Sequence, residues 1–289
     1  MKLFAKNTSQ SAFQDVPQHG DSRDQQLCDL LSLSLHEPAG RVRRLLKSHS
    51  TIVNRLERQR NHYIGEGHQK SLAASFYLPR KSTYLDFLNT DNKSRVVATF
   101  HLGDYVYGLN HLMSLENPKR NRIVLNHREG SFPYRKNVLN RYGNRALDRK
   151  SQLLSQHCNT AKLAATLREK PSTLILFSDL PHHFGKSIEV EFLGRRAWFV
   201  RGPAVLAITA RAPILPVVNF MAGNSNTIEI KDLIDSTPRP GESFSDCVHR
   251  LTQALCSILE SYLRSYPEQW RYLNHMALFF QDPEGAGNI

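Results

Sequence analysis

Short β-rich runs and helix-compatible segments alternate along most of this chain, and that alternation limits its fold more than any other feature. The runs are RVVATFH (95–101), NRIVLNH (121–127), STLILFSD (172–179), AWFV (197–200) and APILPVVNF (212–220). Segments with helical character lie at 104–116, 134–145, 158–169 and 203–211. Strands that alternate with helices build an α/β layer structure, with a largely parallel central sheet flanked by helices. A chain of 289 residues can bury one such core without disulfides or metals.

Upstream the pattern changes. Residues 1 to about 25 are polar and read as loosely attached. Residues 26–62 carry apolar side chains at helical spacing, broken at Pro38-Ala39-Gly40, which predicts two amphipathic helices. The expected organisation is therefore a helical extension over 1–62 and an α/β domain over 63–289. The second helix sets Arg41, Arg43, Arg44 and Lys47 beside Val42, Leu45 and Leu46, a composition that suits either packing on the domain or resting on a membrane surface.

The four cysteines (Cys28, Cys158, Cys247, Cys256) are scattered with no C-x-x-C pair, so neither a zinc ribbon nor a disulfide framework is indicated. A reducing cytoplasm is the expected setting. No signal-peptide apolar region and no run approaching the ~20 apolar residues of a membrane span occurs, so a soluble or peripheral protein is expected. Thirty-eight Lys and Arg against 26 Asp and Glu leave +12, which favours an anionic partner. The stacking and zinc-finger signatures of nucleic-acid binders are absent, so an anionic membrane lipid or an acidic carrier protein is expected and nucleic acid is not.

In an open α/β sheet, active groups gather beyond the carboxyl ends of the strands. His101 ends one run and Asp179 ends another. An imidazole titrates near pH ~6.5 and takes a proton from a hydroxyl or amine at neutral pH, which makes His101 a candidate general base. Such a base needs a carboxylate to orient it, and Asp104 is the nearest acid in sequence, although Asp is also a common helix cap.

The block HLGDYV resembles the histidine block of the lipid A late acyltransferases, which typically reads His-Phe-Gly-Asn-Trp-Glu and places them in the lysophospholipid acyltransferase-like superfamily. Downstream, LFSDLPHHFGKSIEVEFLGRRAWFVRGPAVLAITARAPILPVV is similar to that family's second half, with an Asp after a buried strand, then V-x-F-x-G-R, GPA-x-LA and AP-x-x-P. The ending YPEQWRYLNHM resembles PEQY-x-W-x-H-R. Three ordered blocks span about residues 95–280.

The resemblance implies transfer of an acyl group from a thioester to a hydroxyl of a phosphorylated membrane glycolipid such as lipid A, at the cytoplasmic face of the inner membrane. His101 would be the base, and the phosphopantetheine arm of a donor carrier protein the only cofactor chemistry. Arg195, Arg196 and Arg201 would stabilise charge or hold a phosphate. Tyr105 and Lys186 complete the candidate substrate-binding set.

One position departs from the family pattern: the acid five residues after the histidine is Val106 here. Valine cannot orient an imidazole. Either Asp104 has taken that role, or Asp179 does so across the sheet edge, or ordinary acyl transfer has been lost. A lipid A glycyltransferase branch, which delivers glycine from a carrier protein and contributes to resistance against cationic antimicrobial peptides, also departs at the usual acid. The resemblance therefore implies aminoacyl transfer first and fatty acyl transfer second, with a silent lipid- or carrier-binding protein as the third reading.

No metal site is expected, because the adjacent His182 and His183 are poor joint ligands and lack spaced partners. Neither a Gly-x-Ser-x-Gly elbow nor a cysteine nucleophile motif occurs, which disfavours an acyl-enzyme intermediate.

Overall fold

The computed structural model describes residues 20–66, 76–79, 93–115, 121–126, 151–155, 159–223 and 225–282. Two helices lead: α1 (Gly20–Leu35) and α2 (Ala39–Glu66). Helix α1 begins at Gly20, so residues 20–25 are helical where a loosely attached stretch was expected, and residues 1–19 lie outside the described residues. The break falls at 36–38, just ahead of the expected Pro-Ala-Gly. The carbonyl oxygen of Pro38 accepts from the N–H groups of Arg41 and Val42 and so opens α2 instead of interrupting it.

The main sheet runs β1 (Phe76–Tyr77), β9 (Ser225–Ile230), β8 (Ile214–Ala222), β2 (Arg95–Thr99), β5 (Ser172–Phe177), β3 (Asn121–Asn126), β4 (Ser151–Ser155). Every neighbouring pair is parallel except β8 with β9. This is the expected α/β fold with a largely parallel sheet. Strand β2 is central and buried along its length. Val96 and Ala98 face one core and Val97 the other, which is why these three consecutive positions are all apolar instead of alternating.

Helix α3 (Tyr105–Leu115) follows β2 and shares a core with Val97, Ile175 and Val217 through Tyr107 and Leu112. The opposite face is covered by α4 (Thr160–Glu169), α5 (Gly202–Ala210) and α6 (Phe244–Leu263), with Leu163, Ala207 and Leu251 packed on Val96 and Leu174. The segment expected to be helical at 134–145 lies outside the described residues.

The run AWFV departs from the expectation. It belongs to β7 (Arg195–Val200), which pairs antiparallel with β6 (Ser187–Phe192) in a hairpin separate from the main sheet. Leu193 and Gly194 both have positive φ (53° and 72°), the geometry of a tight hairpin turn whose twist matches that of its strands. Strands β1, β4, β6 and β9 and helix α6 were not foreseen, although Ser243 and Asp246 form a capping box at the start of α6.

A third core fastens the N-terminal helices to the carboxyl end of the sheet. Leu31 of α1 and Val42 of α2 join Phe100, Leu102, Phe192, Phe199, Trp270 and Phe279, all buried. Each such side chain contributes about 1.5–3 kcal/mol on burial. Arg41, Arg43, Arg44 and Lys47 stay exposed on the outer side of α2. Among the described residues no helix is long and apolar enough to cross a membrane.

Candidate active site

Strand register brings the two strand-end residues together. Strands β2 and β5 are parallel with Thr99 opposite Phe177, so two further steps set His101 beside Asp179. Nδ1 of His101 lies 2.8 Å from Oδ1 of Asp179, and the backbone N–H of His101 donates to Oδ2 at 2.7 Å. Nε1–H of Trp270 donates to the same Oδ2 at 2.9 Å. Three N–H donors converge on this carboxylate, which is 0% exposed. Buried polar groups are stable only when so satisfied. The carboxylate serves as acceptor, so the neutral imidazole carries its proton on Nδ1 and keeps the lone pair on Nε2.

Aromatic rings hold the imidazole plane. Phe177 stacks on it at 4.0 Å between centroids, while Tyr105 and Tyr272 meet it edge-on at 4.9 and 5.3 Å. The side chain of His101 is 14% exposed, enough to meet a ligand from one direction.

The C-terminal segment completes the site. Leu102 and Trp270 form an antiparallel bridge, flanked by hydrogen bonds from Gly103 N to Gln269 O (3.1 Å) and from Arg271 N to His101 O (2.9 Å). The Gln269 carboxamide imitates one more strand, accepting from Met221 N and donating to Met221 O of β8. Gly103 has φ +53°, and a Cβ there would sit 2.8 Å from the Phe220 Cα and 2.9 Å from the Asn219 O. Gly103 thus lets β8 approach closely.

A small hollow of about 10 Å³ opens over His101, lined by Val53, Leu56, His101, Gly103, Tyr105, Gln269 and Arg271. Two of these belong to α2, so the N-terminal helix forms one wall of the site. His49, one turn before Val53, hydrogen-bonds through Nδ1 to the Glu268 carbonyl at 2.9 Å and locks that wall to the C-terminal segment.

The sequence-predicted residues are placed unequally. His101, Asp179 and Tyr105 meet. Asp104 is buried immediately ahead of α3, and its carbonyl oxygen accepts the first helical bond, from Gly108 N. Val106 is the second residue of α3. Arg196 pairs with Glu189 across the exposed hairpin, and Arg195 lies over the Phe280 ring at 4.4 Å. Arg201 precedes α5, and its N–H donates to the carbonyl of the exposed Lys186 at 3.0 Å, closing the base of the hairpin. None of these four cations is among the residues lining the hollow. Val53, Leu56, Gln269, Trp270 and Arg271 were not singled out from the sequence, although the last three lie in the PEQWR stretch that carried the resemblance.

His182 and His183 occupy a short 3-10 turn after β5. Among the described residues no group of three or more His, Cys, Asp or Glu side chains could hold a metal ion. The thiols of Cys28, Cys247 and Cys256 are free and buried, and burial beside Asp179 raises Cys256 well above the usual thiol range.

No curated protein matches this chain. The family model of bacterial lipid A biosynthesis acyltransferases does match, over residues 105–276. That span starts four residues after His101 and takes in Asp179, the β6–β7 hairpin, α5 and the PEQW segment. It covers more than half of the chain, which therefore belongs to the bacterial lipid A biosynthesis acyltransferase family.

Proposed function

We propose that the protein moves an aminoacyl group, with glycyl first among the candidates, from a carrier-protein thioester to a hydroxyl of a phosphorylated membrane glycolipid such as lipid A, and that His101 is the general base. The observation that carries this reading is the His101–Asp179 hydrogen bond, which leaves the Nε2 lone pair available beside an open hollow. The imidazole takes the acceptor's hydroxyl proton as that oxygen attacks the thioester carbonyl. The tetrahedral intermediate collapses, the C–S bond breaks, and the imidazolium returns the proton to the departing thiolate. Asp179 stabilises the transient imidazolium, a role that the acid replaced by Val106 would otherwise fill.

The departure at Val106 supports the aminoacyl donor, because an α-ammonium group makes a glycyl thioester more electrophilic and eases the demand on the base. A fatty acyl donor is the second reading, favoured by the apolar wall that Val53 and Leu56 give the hollow. The exposed cations of α2 support peripheral attachment to the anionic inner-membrane surface.

The test is incubation of the purified protein with lipid A and a panel of loaded carrier proteins, with mass spectrometry reading the added mass. A glycyl increment is expected. A fatty acyl increment selects the second reading, and no product from any donor leaves a binding protein.

A further inference from the structure

We infer that α2 is a lid over His101, lifted when the protein meets an anionic lipid surface. The hollow above the imidazole measures about 10 Å³, room for about one water. A base that serves acyl transfer has to admit more than that, since the acceptor hydroxyl and the thioester carbonyl must meet within reach of its Nε2. One wall therefore has to move.

The walls are fastened unequally. Gly103 and Tyr105 follow His101 closely along the chain. Gln269 and Arg271 are tied down by the Leu102–Trp270 bridge, by the N–H of Arg271 on the His101 carbonyl and by the paired bonds of the Gln269 carboxamide to Met221. Moving any of these breaks the site itself. Val53 and Leu56 are different. They belong to α2, and among the described residues no group of α2 hydrogen-bonds to His101, Asp179 or Trp270. The helix is pinned instead through His49, which donates to the Glu268 carbonyl, and through the Arg55 guanidinium, which donates at 3.3 Å to the Met221 sulfur, a weak acceptor. Lifting α2 uncovers His101 and leaves its contacts with Asp179 and Trp270 in place.

The composition of α2 indicates what lifts it. Residues 39–56 carry Arg41, Arg43, Arg44, Lys47 and Arg55 and no Asp or Glu, and all of these cations are exposed. The inward side carries Val42, Leu46, His49, Val53 and Leu56 at alternating steps of four and three, buried or half-buried against the domain. In water the lid stays shut, because lifting it exposes this stripe. At an anionic lipid surface the cations draw the helix to the headgroups and the acyl chains cover the stripe, so the open form binds the surface better than the closed form does. Such a difference in affinity is what shifts an equilibrium between two forms. The inference rests on the acyl-transfer reading for what has to enter: a membrane-held acceptor arrives from the side on which the lid opens.

The experiment is carbethoxylation of the full chain with diethyl pyrocarbonate, a small reagent that dissolves in both water and lipid, with the adduct on each histidine quantified by peptide mass spectrometry. His249, exposed on α6, is the internal reference. In solution His101 should react much more slowly than His249. Vesicles of phosphatidylglycerol should raise the His101 rate relative to His249 about tenfold or more, and vesicles of phosphatidylcholine should leave it unchanged. Arg41→Gln, Arg43→Gln, Arg44→Gln and Lys47→Gln combined should abolish the rise. Leu56→Ala, and Val53→Ala at its half-buried position, should speed the reaction of His101 in solution without vesicles.

A His101 rate equal to that of His249 in solution, no rise on phosphatidylglycerol, or an equal rise on phosphatidylcholine overturns the lid. So does a rise that survives the fourfold glutamine variant, or unchanged labelling in both alanine variants. Absence of transfer with every donor, alongside a rise confined to the anionic vesicles, upholds the lid and removes only the transfer reading.

Discussion

Nδ1 of His101 and Oδ1 of Asp179 lie 2.8 Å apart although 78 residues separate them in the chain. The acid nearest in sequence, Asp104, belongs to the start of α3, and the acid expected from the family pattern is Val106. The carboxylate on the imidazole is thus delivered by the neighbouring parallel strand.

Asp179→Asn should therefore lower turnover by about the same order as His101→Ala, roughly 10²-fold or more, because an imidazole and its orienting acid act as a unit. Asp104→Asn should change turnover little, since Asn caps a helix nearly as well as Asp. Steady-state kinetics of the three folded variants decide this. Full activity in Asp179→Asn with loss in Asp104→Asn would reverse the assignment.

If His101 is the base, Trp270 should act on the reaction through Asp179. Trp270→Phe keeps an aromatic ring in the core but removes the Nε1–H donor to Oδ2. Oδ2 keeps the His101 N–H but loses one of its two donors, and a hydrogen bond to a charged group contributes about 1.5–3 kcal/mol. A fall in kcat with KM unchanged, together with a lower urea midpoint, is expected. A change in midpoint alone would make Trp270 purely structural.

Gly103→Ala should be among the more damaging single-methyl changes at this site. The positive φ strains any other residue, and the added carbon meets the β8 backbone at 2.8 Å. The two effects together should cost about 2–5 kcal/mol, read by chemical denaturation. Stability within error of wild type would show that β8 can yield.

Folding stability should fall on mild acidification. His49 and His275 are held below the ordinary histidine range in the folded chain, burial being the main cause. Below about pH 6.5 the unfolded chain binds protons that the folded chain still refuses, so their contribution is present above that pH and is lost as pH falls through the folded values. His49→Gln, which can still donate to the Glu268 carbonyl, should flatten the stability profile between about pH 8 and pH 5. Denaturant midpoints measured across that range test it, and an unchanged profile would count against His49.

Binding to anionic liposomes should weaken with salt. Arg41, Arg43, Arg44 and Lys47 are exposed on α2 while Val42 is buried beneath them. Each cation near such a surface contributes about 1 kcal/mol. Raising salt from about 0.1 M to about 1 M shortens the Debye length from about 10 Å to about 3 Å, so flotation should drop, and a fourfold charge-reversal variant should not float at low salt.

Composition and local order determined a good deal of this protein. The apolar run 95–99 reads as a strand because both its faces are buried, and the α3, α4 and α5 segments show helical character close to their observed bounds. His101 and Asp179 stood out because each ends such a run, and open α/β sheets gather chemistry there. What local order could not reveal was pairing. The AWFV run has the composition of a sheet strand, yet it left the sheet for a hairpin because Leu193-Gly194 turns the chain straight back on β6. The choice between Asp104 and Asp179 was likewise open, since sequence distance favours the first, whereas the lateral register of two parallel strands favours the second. Trp270 and Arg271 reach the site only because the C-terminal segment bridges to Leu102, and Val53 and Leu56 only because α2 folds over it. Strand propensity and helical period are properties of a few neighbouring residues, so the sequence alone carries them. Register, long-range hydrogen bonds and the faces that helices bury depend on which distant segments meet, and only the tertiary structure decided those.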